Sequence, residues 1–200
     1  MMLPKYSEAS RTSLFVIALS VVIVLIAVTG DKGLNALGLF AVAVDKGEIW
    51  RVLTANLAHF GWTHCVMNLA ALLLCNYVFF ASHPLHRFLT LLFISCLSVG
   101  LGIYLFNPHY APYAGLSGAI HGLIVAGILL VKEYPTWLRA GAGLLFLGKL
   151  LQENMPYFES TDFQYIIGAQ VAVEAHMYGA VGGLLYVLLS KIAFRTKENV

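Results

Sequence analysis

Hydrophobic positions in this chain come in long runs that charges rarely interrupt. Thr12–Gly30 holds 19 residues without a charge, bounded by Arg11 and Asp31, which is about the length a helix needs to cross the apolar layer of a bilayer. The run is long and no clean small-residue cleavage site follows it, so a retained span is expected rather than a signal peptide. From Val52 to His86 there is again no Asp, Glu, Lys or Arg. Its first part, "VLTANLAHFG", is too polar for lipid, so a second helix is predicted from about Trp62 to Ala81. "SHPLHR" is a turn, and a third helix follows over about 85–106 and stops at Asn107-Pro108, a breaker. A fourth is predicted over about 117–131 and a fifth over about 135–151. In the fifth, Arg139 and Lys149 sit near the ends, where basic side chains can snorkel to the interface. The sixth is predicted over about 165–190, broken only by Glu174 and His176. The pattern predicts one all-α domain over residues 1–200, a polytopic six-helix membrane bundle. In the long connection from Asp31 to Gly61, "LNALGLFAV" is apolar yet too short to span. It is expected to lie in the interface as an amphipathic or re-entrant element.

Composition sharpens this picture. The chain is 60% hydrophobic and 11% charged, whereas a soluble domain is about half apolar and a quarter charged. A net charge of +2 without a basic cluster is too small to suggest nucleic-acid binding. Cys65, Cys75 and Cys96 fall inside apolar runs and read as buried free thiols, since no CxxC or metal spacing is present. No metal or cofactor is implied. Six spans put both termini on one side. Eight basic residues lie on that side (Lys5, Arg11, Arg87, Lys132, Arg139, Lys191, Arg195, Lys197) and four opposite (Lys32, Lys46, Arg51, Lys149). The termini are therefore expected in the cytoplasm, and the start of the fourth helix faces outward, toward the periplasm if the cell is a Gram-negative bacterium.

Strongly polar side chains inside apolar runs are costly and usually functional. The candidates are His59, His64, Asn68, Ser117, His121, Glu174 and His176. His64 and Asn68, four apart, share a helix face. Gly118 and Gly122, like Gly179 and Gly183, form small-xxx-small pairs that let helix backbones approach closely, so the fourth and sixth helices can bring Ser117 to His176. A serine hydroxyl becomes a nucleophile only when a base takes its proton; His176, placed roughly eleven residues into the sixth helix, would be that base. Glu174 lies about 200° round the helix from His176 and points elsewhere, so a Ser-His dyad is expected rather than a triad. His64, the Asn68 amide and the Ser117 backbone N–H could stabilise an oxyanion. Each residue alone has a plain reading: Ser117 as a helix cap, His64 or Asn68 as an interhelical hydrogen bond, Glu174 as structural. Trp50, Trp62, Tyr110 and Tyr113 are read as interfacial belt residues. His83, His86 and His109, in loops, carry no signal.

The motifs "WR" (Trp50-Arg51), "HFGWTHCVMN" (His59 to Asn68), "GLSG" (Gly115 to Gly118) and "AHMYGAVGG" (Ala175 to Gly183) occur in an order that resembles the rhomboid intramembrane serine proteases, over roughly Glu48 to Ser190. The resemblance implies Ser117 as nucleophile, His176 as general base, His64 and Asn68 as the oxyanion pair and His59 as a supporting histidine. Glu48, Trp50 and Arg51 match a loop half embedded in the outer leaflet. His121 departs from the tyrosine that many rhomboids carry four residues after the nucleophile. The compact form with "GLSGAIHG" is similar to the rhombosortase subfamily of bacterial rhomboids. That would imply cleavage near C-terminal Gly-Gly, transmembrane and basic tails of exported proteins, at the outer face of the bacterial inner membrane. The partners expected are transmembrane segments of protein substrates and the lipid bilayer, with no nucleic acid and no metal. A non-catalytic binder or chaperone of transmembrane helices is the alternative, though a binder has no need of a dyad. A metallohydrolase using His59, His64 and His176 would be expected to carry HExxH, and Cys65 follows His64. A serine acyltransferase or lipase, or transfer of the acyl group to an amine, would use the same machinery.

Overall fold

The computed structural model describes residues 5–155 and 161–198, and what it describes is all-helical, with a single antiparallel bridge between Leu39 and Tyr113. Ten helices follow in order: α1 (Lys5–Val28), α2 (Asp31–Leu37), α3 (Ala41–Asp45), α4 (Arg51–Thr54), α5 (Trp62–Cys75), α6 (Leu85–Phe106), α7 (Ser117–Leu130), α8 (Thr136–Glu153), α9 (Thr161–Ile167) and α10 (Val173–Glu198). One wide π-helical turn, Asn76–Phe80, prolongs α5. Among the described residues, four segments are long and apolar enough to cross a membrane: Arg11–Val28, Trp62–Phe80, Leu85–Phe106 and Val173–Ile192. Their outward faces carry Leu14, Leu25, Leu74, Phe93 and Leu105 exposed, as a surface facing hydrocarbon would. The protein is an integral membrane protein.

The fourth and fifth expected spans depart from that pattern for different reasons. Helix α7 has 14 residues, about 21 Å at 1.5 Å per residue, short of the roughly 30 Å of hydrocarbon. It is the centre of the bundle, with Gly118–Leu123 buried throughout. The ten residues before it, 107–116, are irregular chain: Pro108, His109 and Ala111 are exposed, whereas Tyr110 and the stretch 113–116 leading into α7 are buried in protein, the cover that irregular backbone at membrane depth needs. Helix α8 is long enough but carries Arg139, Lys149 and Glu153, and only Leu150 among its residues is buried.

Helices α7 and α10 are in backbone contact. A Cβ at Gly118 would stand 2.7 Å from the Ala175 carbonyl oxygen, and one at Gly122 2.5 Å from that of Gly179. From the opposite side, a Cβ at Gly179 or Gly183 would overlap the carbonyl oxygen of Gly118 or Gly122. The two small-residue pairs therefore face each other along one seam, as small-xxx-small spacing predicts. Helix α6 packs beside both, and α1 and α5 close one flank, with Val16 and Ile23 of α1 and Leu72 of α5 in one buried cluster with Phe88 and Leu91 of α6. Thr12 Oγ1 donates to the His83 carbonyl at 2.6 Å and Asn76 Nδ2 to Ser13 Oγ at 3.1 Å, which pins α1 to the end of α5.

The stretch expected as a single helix over 165–190 is divided. α9 ends at Ile167, Gly168 turns at φ +74°, and α10 starts at Val173. His176 consequently sits in the first turn of α10, not eleven residues inside a helix. The aromatic belt is also narrower than expected. Trp50 and Trp62 are exposed, but Tyr110 and Tyr113 are buried. Tyr113 O–H donates to the Gly115 carbonyl (3.1 Å) and Tyr110 O–H to Glu174 Oε2 (3.0 Å). Burial and the Glu174 carboxylate push the Tyr110 hydroxyl pKa upward.

Candidate active site

Ser117 opens α7 at the end of a tightly tied segment. Leu39 and Tyr113 exchange both backbone hydrogen bonds at 2.9 Å, and the Gly115 N–H donates to the Ala55 carbonyl at 3.0 Å. Gly115 has φ +131°, a left-handed value that favours glycine. A Cβ there would stand 2.7 Å from His64 Cε1 and 2.9 Å from its Nε2, so glycine is required by backbone and by space alike. The α1–α5 connection that receives this segment is itself clamped by Arg51. Its Nε and Nη2 hold Glu48 Oε2 (2.7 and 2.6 Å), and its Nη1 donates to the carbonyls of Asn35 and Gly38 (2.9 and 2.7 Å).

His176 Nε2 lies 3.2 Å from Ser117 Oγ. Its other nitrogen, Nδ1, lies 3.0 Å from Glu153 Oε2 at the end of α8. The sequence alone predicts no acid beside this histidine; Glu153 lies beside it, and a dyad is an incomplete description of the geometry. Glu174, the acid nearest in sequence, faces away onto Tyr110. Lys149, expected to snorkel, instead donates from Nζ to Glu153 Oε1 (2.7 Å) and to His121 Nε2 (2.9 Å). His121 Nδ1 is 2.8 Å from the Ser117 carbonyl, and the His121 ring is stacked on His176, centroids 4.0 Å apart and 8° from parallel.

The partners fix both tautomers. A carbonyl oxygen only accepts, so His121 carries its proton on Nδ1 and offers Nε2 to the Lys149 ammonium. A carboxylate likewise only accepts, so His176 carries its proton on Nδ1 and leaves Nε2 free to take the Ser117 hydroxyl proton. The contacts form a closed circuit from Ser117 Oγ through His176, Glu153, Lys149 and His121 back to the Ser117 carbonyl. His121, Glu153 and His176 would also be the one ligand set for a cation among the described residues, their ligand atoms lying within 4.8 Å of one another. The Lys149 ammonium already brings a positive charge to that set.

A cavity of about 260 Å³ opens over Ser117 and His176. His64 and Asn68 on α5 line one side, with Phe60, Met67 and Ala71 as apolar wall; Val171, Ala172 and Val173, at the entry to α10, line the other. Asn68 Nδ2 donates to the His64 carbonyl at 3.1 Å. The His64 ring stacks on Phe60 (6.0 Å, 7°) and meets His59 edge-on at 5.0 Å. His59 precedes α5, with Nδ1 3.2 Å from the Leu57 carbonyl. Burial, helped by neighbouring His64, pushes its pKa down to about 3, so it is neutral at physiological pH. Gly179 and Gly183 contribute through the seam, and Trp50 is exposed, outside the cavity.

Residues 46–191 match the Rhomboid domain family. The chain belongs to the rhomboid family. It is 27% identical over 165 residues to YdcA of Bacillus subtilis (strain 168), a protein provisionally named a rhomboid protease, covering 80% of this chain and 75% of the relative. It is 28% identical over 143 residues to Rhomboid-like protease 5 of Toxoplasma gondii, covering 71% of this chain and 16% of that longer protein. Both relatives carry protease names, and a rhomboid of this kind is read as a hydrolase of the membrane.

One signal in the sequence does point to Glu153. Lys149 and Glu153 are four apart, at the same end of their helix as Ser117 in the expected topology. A fifth helix ending at 151 leaves the acid outside the set of candidate side chains.

Proposed function

We propose that this rhomboid is an intramembrane serine protease in which Ser117 is the nucleophile and His176 the general base. The observation that carries the proposal is the 3.2 Å approach of His176 Nε2 to Ser117 Oγ at the floor of a largely apolar cavity that can take an unwound peptide. As Ser117 Oγ bonds to the scissile carbonyl carbon, its proton passes to His176 Nε2 and the carbonyl π electrons move to oxygen. His64, the Asn68 amide and the Ser117 N–H would receive that oxyanion. Collapse breaks the C–N bond, and the proton on Nε2 goes to the leaving amine. Water then repeats the sequence, giving a carboxylic acid and restoring the Ser117 hydroxyl.

In this reading the chain spans six times, with α7 and α8 as the fourth and fifth crossings, both termini in the cytoplasm and the cavity at the outer face of a bacterial inner membrane. The positive-inside bias of the basic residues supports that orientation. "GLSGAIHG" supports membership of the rhombosortases, with C-terminal tails of exported proteins (Gly-Gly, a transmembrane segment and basic residues) as substrates.

The test is reaction of detergent-purified protein with a fluorescent fluorophosphonate, beside Ser117→Ala and His176→Ala. Labelling of the parent and of neither variant is the expected result. A folded parent that does not label would overturn the proposal in favour of a helix-binding role.

A further inference from the structure

We propose that Glu153, held by Lys149, is the positioning residue for His176, so that the catalytic unit is a serine–histidine–glutamate arrangement with its acid supplied by α8. The inference rests on the protease reading above and deepens it. Four observations carry it. Glu153 Oε2 is 3.0 Å from His176 Nδ1, the nitrogen opposite the one that faces Ser117. The acid side chain is 14% exposed and that of His176 8%, so water competes little for the contact. Glu153 Oε1 accepts from Lys149 Nζ at 2.7 Å, which anchors the carboxylate without using the oxygen that faces the imidazole. Lys149 is itself oriented by His121 Nε2 at 2.9 Å, and His121 lies flat against the His176 ring. His176 is thus fixed by a carboxylate at its edge and by an aromatic plate on its face.

The chemistry follows from donor and acceptor inventory. Neutral imidazole has two tautomers, and only the one with its proton on Nδ1 can accept the serine proton at Nε2. A carboxylate at Nδ1 selects that tautomer and stabilises the imidazolium formed on attack, without taking the proton itself. The Lys149–Glu153 pair adds no net charge to the membrane, and each ion is more costly to bury alone than with its partner. Lys149 therefore lets the acid stay ionised beside lipid.

Glu153→Gln keeps size and can still accept from Nδ1 through its carbonyl, but loses the charge and admits the wrong tautomer. With a fluorophosphonate, the Ser117 Oγ–P bond forms, the P–F bond breaks, fluoride leaves, and the serine proton passes to His176 Nε2. Labelling kinetics distinguish the bond-forming step (kinact) from the reversible binding that precedes it (KI). We expect Glu153→Gln to lower kinact roughly 10²-fold with KI changed less than twofold. In Glu153→Ala, added formate should restore kinact at least about tenfold by re-occupying the vacated carboxylate position, which a merely structural loss would not allow. Glu174→Gln, a carboxylate removed from the same helix end, should label like the parent. The intact protein gives a readout that needs no Glu153 variant. With ¹⁵N-histidine labelling, a low-field Nδ1–H proton resonance should be present in the parent and absent in His176→Ala. Folded Glu153→Gln labelling within about twofold of the parent, or absence of that resonance, would overturn the inference. These outcomes are separate from the underlying reading, which fails if the folded parent does not label or if Ser117→Ala or His176→Ala still reacts.

Discussion

His176 is gripped from two sides that are built in opposite ways. Toward α7 the contact is backbone on backbone, glycine against carbonyl at Gly118, Gly122, Gly179 and Gly183. Toward α8 it is side chain on side chain. That helix buries only Leu150, sets Phe146 against the His121 ring, and is held by polar bonds: Arg139 to the Ile128 and Leu129 carbonyls (2.8 and 2.9 Å), and Lys149 and Glu153 to the histidines. The first grip is a matter of shape and admits no partial loosening, because close-packed backbones have no rotamers to yield. The second consists of a few hydrogen bonds, strong where water is scarce but separable one at a time. The difference teaches that the serine–histidine distance belongs to the rigid centre, whereas the state of the far imidazole nitrogen is delegated to a peripheral helix.

That division can be broken at several strengths. Gly179→Val should have the largest effect, because its side chain would occupy the position of the Gly118 carbonyl. We expect loss of monodisperse protein in detergent by size-exclusion chromatography, and no fluorophosphonate labelling. A well-folded, reactive Gly179→Val protein would show that the seam has room to spare. Next, Asn68→Ala should lower kinact by about 10²-fold, the usual cost of one oxyanion donor, while the thermal midpoint stays within a few degrees. A large fall in the midpoint with labelling intact would make Asn68 a structural residue. Leu150→Ala removes the buried apolar contact of α8 and should cost roughly 2–3 kcal/mol locally. Hydrogen exchange should quicken in α8 and leave α7 and α10 unchanged; uniform quickening would mean that the two grips are one cooperative unit.

The smallest effect is one of pH. His59 is held neutral with its pKa lowered to about 3, whereas in the unfolded chain it takes a proton near 6.5. The unfolded state therefore binds more protons between those values, and stability is complete above about 6.5 and lost as pH falls toward 3. The thermal midpoint should drop on acidification through that window, and less steeply in His59→Leu. An identical slope in the variant would remove His59 from the account.

The residues also differ in how far their roles can be read without coordinates. The seam is legible because glycine spacing is a local pattern: four-residue steps on two helices state both the contact and its closeness. The approach of Ser117 to His176 is legible for the same reason, each standing beside its own glycine pair. His64 and Asn68 share one helix face. The rotation of α8 is not legible. An apolar helix with two bases near its ends looks like one with snorkelling side chains, and nothing local says that Lys149 turns inward to His121. Tyr110 and Tyr113 mislead in a similar way. A tyrosine near an expected membrane surface has the composition of a belt residue, and only tertiary packing, with hydroxyls turned to Glu174 and to the Gly115 carbonyl, buries these two. His121 stands out in the sequence as a departure, at the position where many rhomboids have tyrosine, and the stacking at 4.0 Å answers where it goes.

The order in which the site is assembled follows from the positions of its parts. Ser117 and His176 are 59 residues apart, and Glu153 lies between them, 23 residues before the histidine. A ribosome feeding this chain into a bilayer delivers the hydroxyl first, the acid later and the base last. On the protease reading, Ser117 gains a group to take its proton only when α10 has entered and closed on α7. On that reading, completion of the bundle and onset of reactivity are one event.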